Sequence, residues 1–432
     1  MAQVPPDWSA MVTSQLIASL AGVPPRDDLP SGTGAAFHSG RIRPGEVFFA
    51  LPGAVEHGIV HADDALDRGA AFVVSDVPHP RALSVPDPEA ALIALGRHAR
   101  KQLQGAVVAI SGSVGKTSTR AFAAAALDAI ASEGNFNTPR ALACTMVRAW
   151  QTDPGRPLVL ELGIDRRGEM DELVDLVSPT HGLLTAIAES HLEGLGDLEG
   201  VAHEKARLLE RSPERFASES AARLLPRPLP GLVRYGLSEG APVRGRLRAG
   251  VLEAFGVEVT LRYPGNAMAS NALGALALAH RLGLDLEAAA RRLEAAKLEA
   301  GRLQVKRLGE LTILDDTYNS NPTSAREALG VLSGMDRPRC AVLGDMLELG
   351  PRAEEFHREL GAATRGLDLV VAIGPLARCL RDGNPNVIHR ENIDEALPLL
   401  TRIPRRGTIL VKASRGMRLE RVVEQLIAGV PA

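Results

Sequence analysis

Short apolar runs alternate with amphipathic or alanine-rich stretches along most of the chain. The apolar runs predict β-strands at residues 45–51, 69–75, 107–110, 158–162, 182–187, 311–314, 340–343, 369–373 and 408–411. The stretches with helical spacing predict α-helices at 61–68, 121–126, 201–211, 271–281 and 286–295. Strands that alternate with helices in this way are typical of parallel sheets. We therefore predict an α/β protein.

Length and local composition divide these elements into three domains. A chain of 432 residues exceeds what one hydrophobic core usually holds. Prolines at positions 78, 80, 86 and 88 suit a first domain boundary, and a second strand–helix alternation begins near residue 299. We predict an N-terminal domain at 1–84, a central domain at 85–298 and a Rossmann-like C-terminal domain at 299–432. Residues 213–265 are rich in Pro, Gly and Arg and predict short antiparallel strands and loops.

Charge and composition argue against several functional classes. The formal net charge is −3 and only 3% of residues are aromatic, which disfavours binding to nucleic acid. Cys144, Cys340 and Cys379 are far apart and form neither a metal motif nor a disulfide framework, so we expect three buried apolar residues. We find no signal peptide and no apolar stretch long enough to span a membrane. We expect a cytoplasmic protein without stable membrane association.

A glycine-rich turn follows the strand predicted at 107–110 and precedes a predicted helix. The turn comprises Gly112, Ser113, Val114, Gly115, Lys116, Thr117 and Ser118. Strand, turn and helix in this order present backbone N–H groups and a helix N-terminus to phosphate. Lys116 would reach the β- and γ-phosphates, and the Thr117 hydroxyl would bind Mg²⁺. An ordinary turn with a surface lysine is the alternative. The order of the parts favours a phosphate-binding loop, and with it a central parallel sheet of the P-loop type.

Polar residues follow several other predicted strands. Glu161 ends one strand and His191 follows the next one. Ligands of open α/β sheets bind beyond the carboxyl ends of the strands, and a carboxylate there suits Mg²⁺. A solvent-exposed glutamate and a structural histidine are the alternatives. Strings at 315–322, 344–350 and 412–416 follow strands of the C-terminal domain in the same way. Tyr318 in the first string favours a ligand-contacting loop over a simple turn.

Together these strings resemble those of the Mur ligase family, the ATP-dependent amide-forming enzymes of peptidoglycan precursor synthesis. The matching segments are 112–117, 161–163, 191–194, 271–273, 301–302, 315–322, 343–350 and 410–415. They extend over nearly the whole chain. The family usually has Asp-Gly-His and Asn-Asn where this chain has His57-Gly58-Ile59 and Asn137-Thr138. The resemblance implies a three-domain fold in which a UDP-substrate domain and a ligase domain flank the ATP-binding domain.

The resemblance also implies roles for individual residues. The implied nucleotide-binding residues are Gly112, Ser113, Val114, Gly115, Lys116, Thr117, Ser118, Asn271, Arg302 and Asp316. The implied ligands of two magnesium ions are Thr117, Glu161 and His191. The implied substrate-binding residues are Arg41, Gly58, Asn137, Tyr318, Asn319, Asn321, Asp345, Lys412, Ser414 and Arg415.

Lys205 completes the implied catalytic set with Lys116, Glu161 and His191. It matches a lysine that several family members carry as a carbamate. Only six of the 49 basic residues are lysines, and arginine could not replace a carbamylated amine. The scarcity of lysine therefore agrees with the implied role.

The strings at 315–322 and 344–350 are specific to one branch of the family. Its members join D-alanyl-D-alanine to UDP-N-acetylmuramoyl-tripeptide with ATP and Mg²⁺, through an acyl phosphate. The resemblance implies a monomer whose partners are these small molecules. One alternative is a related amide ligase, such as a folylpolyglutamate-synthase-like enzyme or the ligase that adds the third peptide residue. The other is a nucleotide-binding regulatory protein that ligates nothing.

Overall fold

The N-terminal domain is built on a parallel sheet of four short strands. A computed structural model of the protein covers residues 11–134 and 136–429. Asn135 and the two chain ends, which belong to the predicted first and last domains, lie outside these residues. In sheet order the strands are β1 (Ala35–Ala36), β2 (Val47–Phe49), β3 (Val73–Ser75) and β4 (Ala82–Ser84). The helices are α1 (Ser14–Ala21) and α2 (Ala62–Asp67). The elements predicted at 45–51, 61–68 and 69–75 are confirmed, with shorter strands.

The central domain contains a seven-stranded parallel sheet with the order β11-β10-β9-β8-β5-β7-β6. The strands are β5 (Val107–Ser111), β6 (Ile130–Ala131), β7 (Leu158–Glu161), β8 (His181–Leu184), β9 (Glu214–Ser218), β10 (Leu232–Gly236) and β11 (Val243–Arg244). Every residue of β5 is buried. The continuous apolar run at 107–110 is explained by this burial, since helices cover both faces of a parallel sheet.

The helices of the central domain include those predicted from sequence, each with a longer or similar extent. They are α3 (Pro88–Gln102), α4 (Lys116–Ala126), α5 (Pro139–Thr152), α6 (Glu169–Val177), α7 (Leu192–Leu195), α8 (Leu198–Glu210), α9 (Glu219–Ala222), α10 (Asn266–Arg281) and α11 (Leu286–Ala295). No helix within residues 11–134 and 136–429 combines the length and the apolar character needed to cross a bilayer.

The prediction of antiparallel strands throughout 213–265 is wrong for the first part of that range. Strands β9, β10 and β11 extend the parallel sheet of the central domain. Helix α8 returns the chain across the sheet before β9, and such a crossover places the next strand parallel to the last. The second part forms a small antiparallel sheet of β12 (Arg246–Arg248), β13 (Val251–Ala254) and β14 (Val257–Thr260), as predicted.

The C-terminal domain has a six-stranded sheet with the order β15-β16-β20-β17-β18-β19, in which β15 is antiparallel to β16 and the other pairs are parallel. The strands are β15 (Gln304–Leu308), β16 (Leu311–Asp316), β17 (Arg339–Gly344), β18 (Leu369–Ile373), β19 (Ile388–Arg390) and β20 (Gly407–Lys412). The helices are α12 (Pro322–Ser333), α13 (Ala353–Ala363), α14 (Leu380–Gly383), α15 (Ile393–Ala396) and α16 (Glu420–Ala428).

These elements confirm the predicted α/β fold with three domains. The predicted boundaries fall between β4 and α3 and between α11 and β15. The residue numbers of the boundaries themselves stay predictions.

All three cysteines are buried and free, as predicted. Burial raises the pKa of the Cys144 thiol to about 12 and that of the Cys340 thiol to about 11. Neither thiol is therefore ionised at neutral pH, which excludes both as thiolate nucleophiles.

Candidate active site

The glycine-rich turn between β5 and α4 has the geometry of a phosphate-binding loop. Gly112 has a φ of 150° and Gly115 a φ of 86°. A Cβ atom on Gly112 would lie 2.0 Å from Thr185 Oγ1, and one on Gly115 would lie 2.7 Å from Asn271 Oδ1. Both positions therefore require glycine, and the bare backbone stays open to a ligand at the start of α4.

Lys116 begins α4, and its side chain folds back over the turn. The Nζ atom donates a hydrogen bond of 2.7 Å to the carbonyl oxygen of Gly112. Desolvation lowers the pKa of Lys116, and the nearby Arg302 guanidinium lowers it further, while the carboxylates of Glu161 and Asp165 oppose the shift. A cation held in this position sits where the loop would receive phosphate oxygens.

Glu161 lies next to the turn because β7 is the neighbour of β5. Its backbone pairs with Ile110 in the parallel register, so the two strands end at the same edge of the sheet. The side chain is 3% exposed, and its Oε2 atom has no hydrogen-bond partner among the described residues. Arg120 Nε lies 3.6 Å from this oxygen, and the same guanidinium is also paired with Glu299. A buried carboxylate oxygen without a hydrogen bond has the capacity to bind a cation.

His191 follows β8, the neighbour of β5 on its other side. Its Nδ1 atom lies 3.0 Å from Asp165 Oδ1 and 2.7 Å from Glu348 Oε2. The hydrogen bond from His191 lowers the pKa of the Asp165 carboxyl. Glu348 belongs to the C-terminal domain, so this contact joins two domains at the site.

Lys205 is on α8 and is completely buried. Its Nζ atom has no hydrogen-bond partner among the described residues. Desolvation lowers the pKa of Lys205 well below its usual value, and Lys116 adds to the shift. The negative charges of Asp165, Glu204 and Glu169 raise the pKa of Lys205 and oppose this shift only in part. Burial therefore shifts the ionisation of Lys205 toward the neutral amine.

The C-terminal domain contributes Arg302 and Tyr318. Arg302 Nη2 donates a hydrogen bond of 2.7 Å to Thr117 Oγ1 in the central domain. The guanidinium carbon of Arg302 lies 3.6 Å from the centre of the Tyr318 ring, and that of Arg415 lies 5.6 Å from it. Burial raises the pKa of Tyr318. The tyrosine is thus held by two cations next to the phosphate loop.

Asp316 and Lys412 are paired at the ends of adjacent strands. Lys412 is 2% exposed, and its Nζ atom lies 2.6 Å from Asp316 Oδ2 and 2.8 Å from the carbonyl oxygen of Asn319. Leu303 N–H donates a hydrogen bond of 3.0 Å to Asp316 Oδ1. These bonds hold the loop at 316–321 in place, so Lys412 supports the loop as well as lining the cavity.

One cavity of about 760 Å³ lies between the central and C-terminal domains. It brings together most of the site residues predicted from sequence. Those that line it are Ser113, Val114, Gly115, Lys116, Thr117, Ser118, Asn137, Glu161, His191, Asn271, Arg302, Asp316, Tyr318, Asn319, Asn321, Lys412 and Arg415. Gly112 contacts the site through its carbonyl oxygen.

Four predicted substrate residues do not line this cavity. Asp345 is 2% exposed, and its carboxylate accepts the N–H of Ala377 at 2.7 Å. Ser414 Oγ accepts the N–H of Leu347 at 2.9 Å and bonds the carbonyl oxygen of Ser320 at 3.2 Å. Both side chains stabilise loops behind the cavity, because their polar atoms are used by backbone groups.

The other two of these four residues belong to the N-terminal domain. Arg41 stacks on Phe136, with its guanidinium carbon 4.3 Å from the ring centre. The backbone of Gly58 lies against Leu51, where a Cβ atom would be 2.9 Å from the Leu51 nitrogen and oxygen. His57 precedes Gly58, at a position where the family usually has aspartate. Its Nδ1 atom accepts the N–H of Ile59 at 3.0 Å, and its Nε2 atom lies 2.9 Å from Asp76 Oδ1. His57 is therefore a local cap of the following turn.

Several residues at the site were not predicted from the sequence. Asp165 also stands beyond the carboxyl end of β7, four positions after Glu161, and the strand-end rule could have found it. Glu348 stands in the string at 344–350, which follows a strand, although no role was predicted for it. Arg120 and Glu299 carry no such signal. Their positions depend on the packing of α4 and on how the C-terminal domain docks.

Comparison with protein families matches two regions of the chain. The Mur ligase middle domain matches residues 110–279, and the Mur ligase glutamate ligase domain matches residues 301–415. Together these regions contain the phosphate loop, Glu161, His191, Lys205 and the strings of the C-terminal domain.

Individual relatives match over nearly the full length. The UDP-N-acetylmuramoyl-tripeptide–D-alanyl-D-alanine ligase of Escherichia coli K12 is 32% identical over 89% of this chain and 92% of its own. The crystal structure I of MurF from Acinetobacter baumannii has a TM-score of 0.83 and 25% identity, over 98% of this chain and all of the other. The MurF ligase of Thermotoga maritima, in complex with ADP, has a TM-score of 0.76 and 26% identity, over 92% and 97%. This chain belongs to the Mur ligase family.

Proposed function

We propose that this protein is an ATP-dependent ligase that joins D-alanyl-D-alanine to the terminal carboxyl group of UDP-N-acetylmuramoyl-tripeptide. One observation carries the proposal. A single cavity is lined by the phosphate loop, by Glu161 and His191 of the central domain, and by Arg302, Tyr318 and Arg415 of the C-terminal domain. The full-length similarity to ligases of this name supports the choice of substrates.

The phosphate loop would bind the triphosphate of ATP. Backbone N–H groups at the start of α4 and the Lys116 ammonium face the same side of the turn, so they would share the negative charge of the phosphates. When it turns to a phosphate oxygen, Lys116 would give up its hydrogen bond to the carbonyl oxygen of Gly112. Asn271, which is packed against Gly115, would hold the remainder of the nucleotide together with Arg302 and Asp316.

The residues at the site fit a nucleotide-bound Mg²⁺. Glu161 Oε2 is buried without a hydrogen bond from any described residue, Thr117 has a hydroxyl group, and His191 lines the same cavity. Within the described residues, no group of three or more His, Cys, Asp or Glu side chains forms a metal cage. This agrees with Mg²⁺, which is commonly held by one or two carboxylates, phosphates and water. The cation would supply charge neutralisation during phosphoryl transfer.

The reaction needs two steps, because a carboxylate and an amine do not condense unaided in water. The substrate carboxylate attacks the γ-phosphorus of ATP, forming an acyl phosphate and releasing ADP. The amine of D-alanyl-D-alanine then attacks the acyl carbon, and phosphate leaves as the amine loses a proton. Arg302, Tyr318 and Arg415 of the C-terminal domain would exclude water from the intermediate and orient the dipeptide.

Lys205 would act as a carbamate, as the resemblance implies. Its buried Nζ atom has no hydrogen-bond partner among the described residues, and burial lowers the pKa of the amine, which increases the fraction of the neutral form that reacts with CO₂. A carbamate would place a negative charge beside Lys116, which would offset the cost of burying both amines.

The proposal is tested by measuring phosphate release from ATP with UDP-N-acetylmuramoyl-tripeptides that differ at the third residue. Release that requires both the tripeptide and D-alanyl-D-alanine is the expected result. If single amino acids replace the dipeptide equally well, the protein is a related amide ligase with another substrate. ATP binding without any amine-dependent phosphate release would instead identify a nucleotide-binding regulatory protein.

A further inference from the structure

Glu348 lies in the C-terminal domain, yet it contacts the central domain with both its side chain and its backbone. Its Oε2 atom lies 2.7 Å from His191 Nδ1. Its carbonyl oxygen accepts the N–H of Leu192 at 3.1 Å. Glu348 and His191 both have left-handed backbone conformations, with φ of 62° and 52°. Two non-glycine residues in this conformation face each other across the domain boundary, an arrangement that costs conformational energy at both positions.

We propose that Glu348 is a positioning residue that orients the His191 ring toward the nucleotide-bound cation when the C-terminal domain docks. The proposal rests on the proposed function in one respect, the assignment of His191 as a ligand of that cation. Glu348 is not among the described residues that line the cavity. It acts by fixing the ring through Nδ1.

The chemistry of the contact determines which ring nitrogen is available. Both neighbours of His191 Nδ1 are carboxylate oxygens, of Glu348 and Asp165, and carboxylates only accept hydrogen bonds. Nδ1 therefore carries the hydrogen, and in a neutral ring Nε2 keeps its lone pair for a cation. Metal-binding histidines commonly donate their other N–H to a carboxylate, which fixes both the tautomer and the orientation.

The loop that carries Glu348 is anchored on its N-terminal side. Met346 N–H donates a hydrogen bond of 3.0 Å to His357 Nε2, and Leu347 N–H donates one of 2.9 Å to Ser414 Oγ. On the other side, Leu349 is 2% exposed and is part of the hydrophobic core. Glu348 is thus held from both sides, which explains how its left-handed conformation is maintained. The carboxylate reaches His191 only when the two domains are together.

Asp165 is the second acceptor, but it differs from Glu348 in origin. Asp165 belongs to the central domain, and its side chain is 80% exposed. Its distance to His191 Nδ1 is 3.0 Å, which is longer than the 2.7 Å between Glu348 and the same atom. Asp165 is available to His191 whether or not the C-terminal domain is docked. Glu348 therefore contributes to the orientation of the His191 ring only when the C-terminal domain is docked.

The experiment measures Mn²⁺ binding in the presence of saturating ADP, with the free Mn²⁺ followed by electron paramagnetic resonance. It compares the full-length protein with Glu348→Ala, with Glu348→Gln, which keeps an acceptor oxygen, and with Glu424→Ala, which removes an exposed carboxylate from α16. We expect Glu348→Ala to weaken Mn²⁺ binding about tenfold, as for other residues that orient metal ligands. Glu348→Gln restores most of the affinity, and Glu424→Ala binds as the unaltered protein does.

Unchanged Mn²⁺ affinity in Glu348→Ala overturns the proposal. The variant His191→Ala separates the possible causes, since it removes the proposed ligand itself. If His191→Ala loses affinity and Glu348→Ala does not, the positioning role alone is wrong. If neither variant loses affinity, the assignment of His191 is wrong and the proposal falls with it. If the affinities follow the expectation but the protein releases no phosphate with D-alanyl-D-alanine, the ligase function is wrong and the role of Glu348 stands.

Discussion

Arg302 and Thr117 are joined by a hydrogen bond of 2.7 Å, although 185 positions separate them in the chain. The bond connects the start of the C-terminal domain to the first turn of α4, at the hydroxyl that we assign to Mg²⁺. On its other side the Arg302 guanidinium stacks on Tyr318. Under the roles that we propose for these residues, binding of magnesium and nucleotide would rearrange this contact, and Arg302 would link domain docking to nucleotide binding.

Replacing Arg302 by alanine should lower kcat/KM for ATP about tenfold or more. Hydrogen bonds to charged groups contribute about 1.5–3 kcal/mol, which corresponds to at least that factor. Arg302→Lys keeps the positive charge but lacks the planar set of N–H donors of the guanidinium, so we expect it to recover only part of kcat/KM. Steady-state kinetics with ATP as the varied substrate measure the effect. Arg307→Ala, an exposed position on β15, is the matched control. Equal losses in both variants would indicate a general effect of removing arginine from this domain.

Replacing Lys116 by alanine should abolish most of the ligase activity while the fold is retained. The ammonium faces the phosphate loop, and removing one group that stabilises developing charge costs about 10²–10³-fold in rate. Among the described residues, the Nζ atom makes one hydrogen bond, to the carbonyl oxygen of Gly112, so the substitution removes little that stabilises the fold. Phosphate release and the thermal unfolding midpoint are the two measurements.

Lys101→Ala is the control for Lys116→Ala, because Lys101 is an exposed lysine at the end of α3. It should retain both activity and stability. An active, ATP-dependent Lys116→Ala protein would contradict the role that we assign to the phosphate loop.

Lys205→Met should stabilise the unmodified protein and reduce its activity. The buried Nζ atom has no hydrogen-bond partner among the described residues, and an unsatisfied buried polar group costs about 1–3 kcal/mol. Methionine has a similar length and removes that cost, but it forms no carbamate. Urea unfolding in buffer freed of CO₂ measures the stability, and phosphate release measures the activity. A variant with reduced stability would show that the amine has a partner after all.

The carbamate itself can be observed directly. Because burial lowers the pKa of Lys205 well below its usual value, a larger fraction of this amine than of an exposed lysine is neutral and able to react with CO₂. Carbon-13 NMR in ¹³C-bicarbonate should therefore show a carbamate resonance that Lys101→Met retains and Lys205→Met lacks. A resonance that persists in Lys205→Met would assign the modification to another amine.

The strand-end residues were predictable from sequence, for a physical reason. In a parallel sheet the carboxyl ends of neighbouring strands meet at one edge, so Lys116, Glu161 and His191 had to converge once β5, β7 and β8 were adjacent. The apolar runs identified those strands because helices bury both of their faces. The direction of β9 was not predictable in this way, since the segment 214–218 is polar at its start and lies in a Pro- and Gly-rich region.

Contacts across the domain boundary were not predictable from local patterns. Arg302 with Thr117 and Glu348 with His191 depend on how two separately folded sheets dock, and hydrophobic periodicity carries no information about docking. For Asp345 and Ser414, the match to the family pattern predicted a substrate contact, but the structure does not place either side chain in the lining of the cavity. Both stand in strings that match the family, yet the structure uses their side chains to bond backbone groups behind the cavity.

His357 should make the stability of the protein decrease at acidic pH. The ring is completely buried; its Nε2 atom accepts the N–H of Met346 at 3.0 Å, and Nδ1 donates to the carbonyl oxygen of Ala353 at 2.6 Å. Desolvation lowers the pKa of His357. The unfolded chain therefore binds a proton more readily than the folded one, so this stability is present above about pH 6.5 and is lost as the pH falls below it.

Urea unfolding at pH 7.5 and 5.5 tests this effect through His357→Gln, whose side-chain oxygen still accepts the Met346 N–H but does not titrate. Between the two pH values the unaltered protein should lose up to about 1.4 kcal/mol more of its free energy of unfolding than the variant, the value for one pH unit below the unfolded pKa. His203→Gln, at an exposed position on α8, should keep the pH dependence of the unaltered protein. If His357→Gln has that same dependence, then the buried imidazole is not the group that becomes protonated.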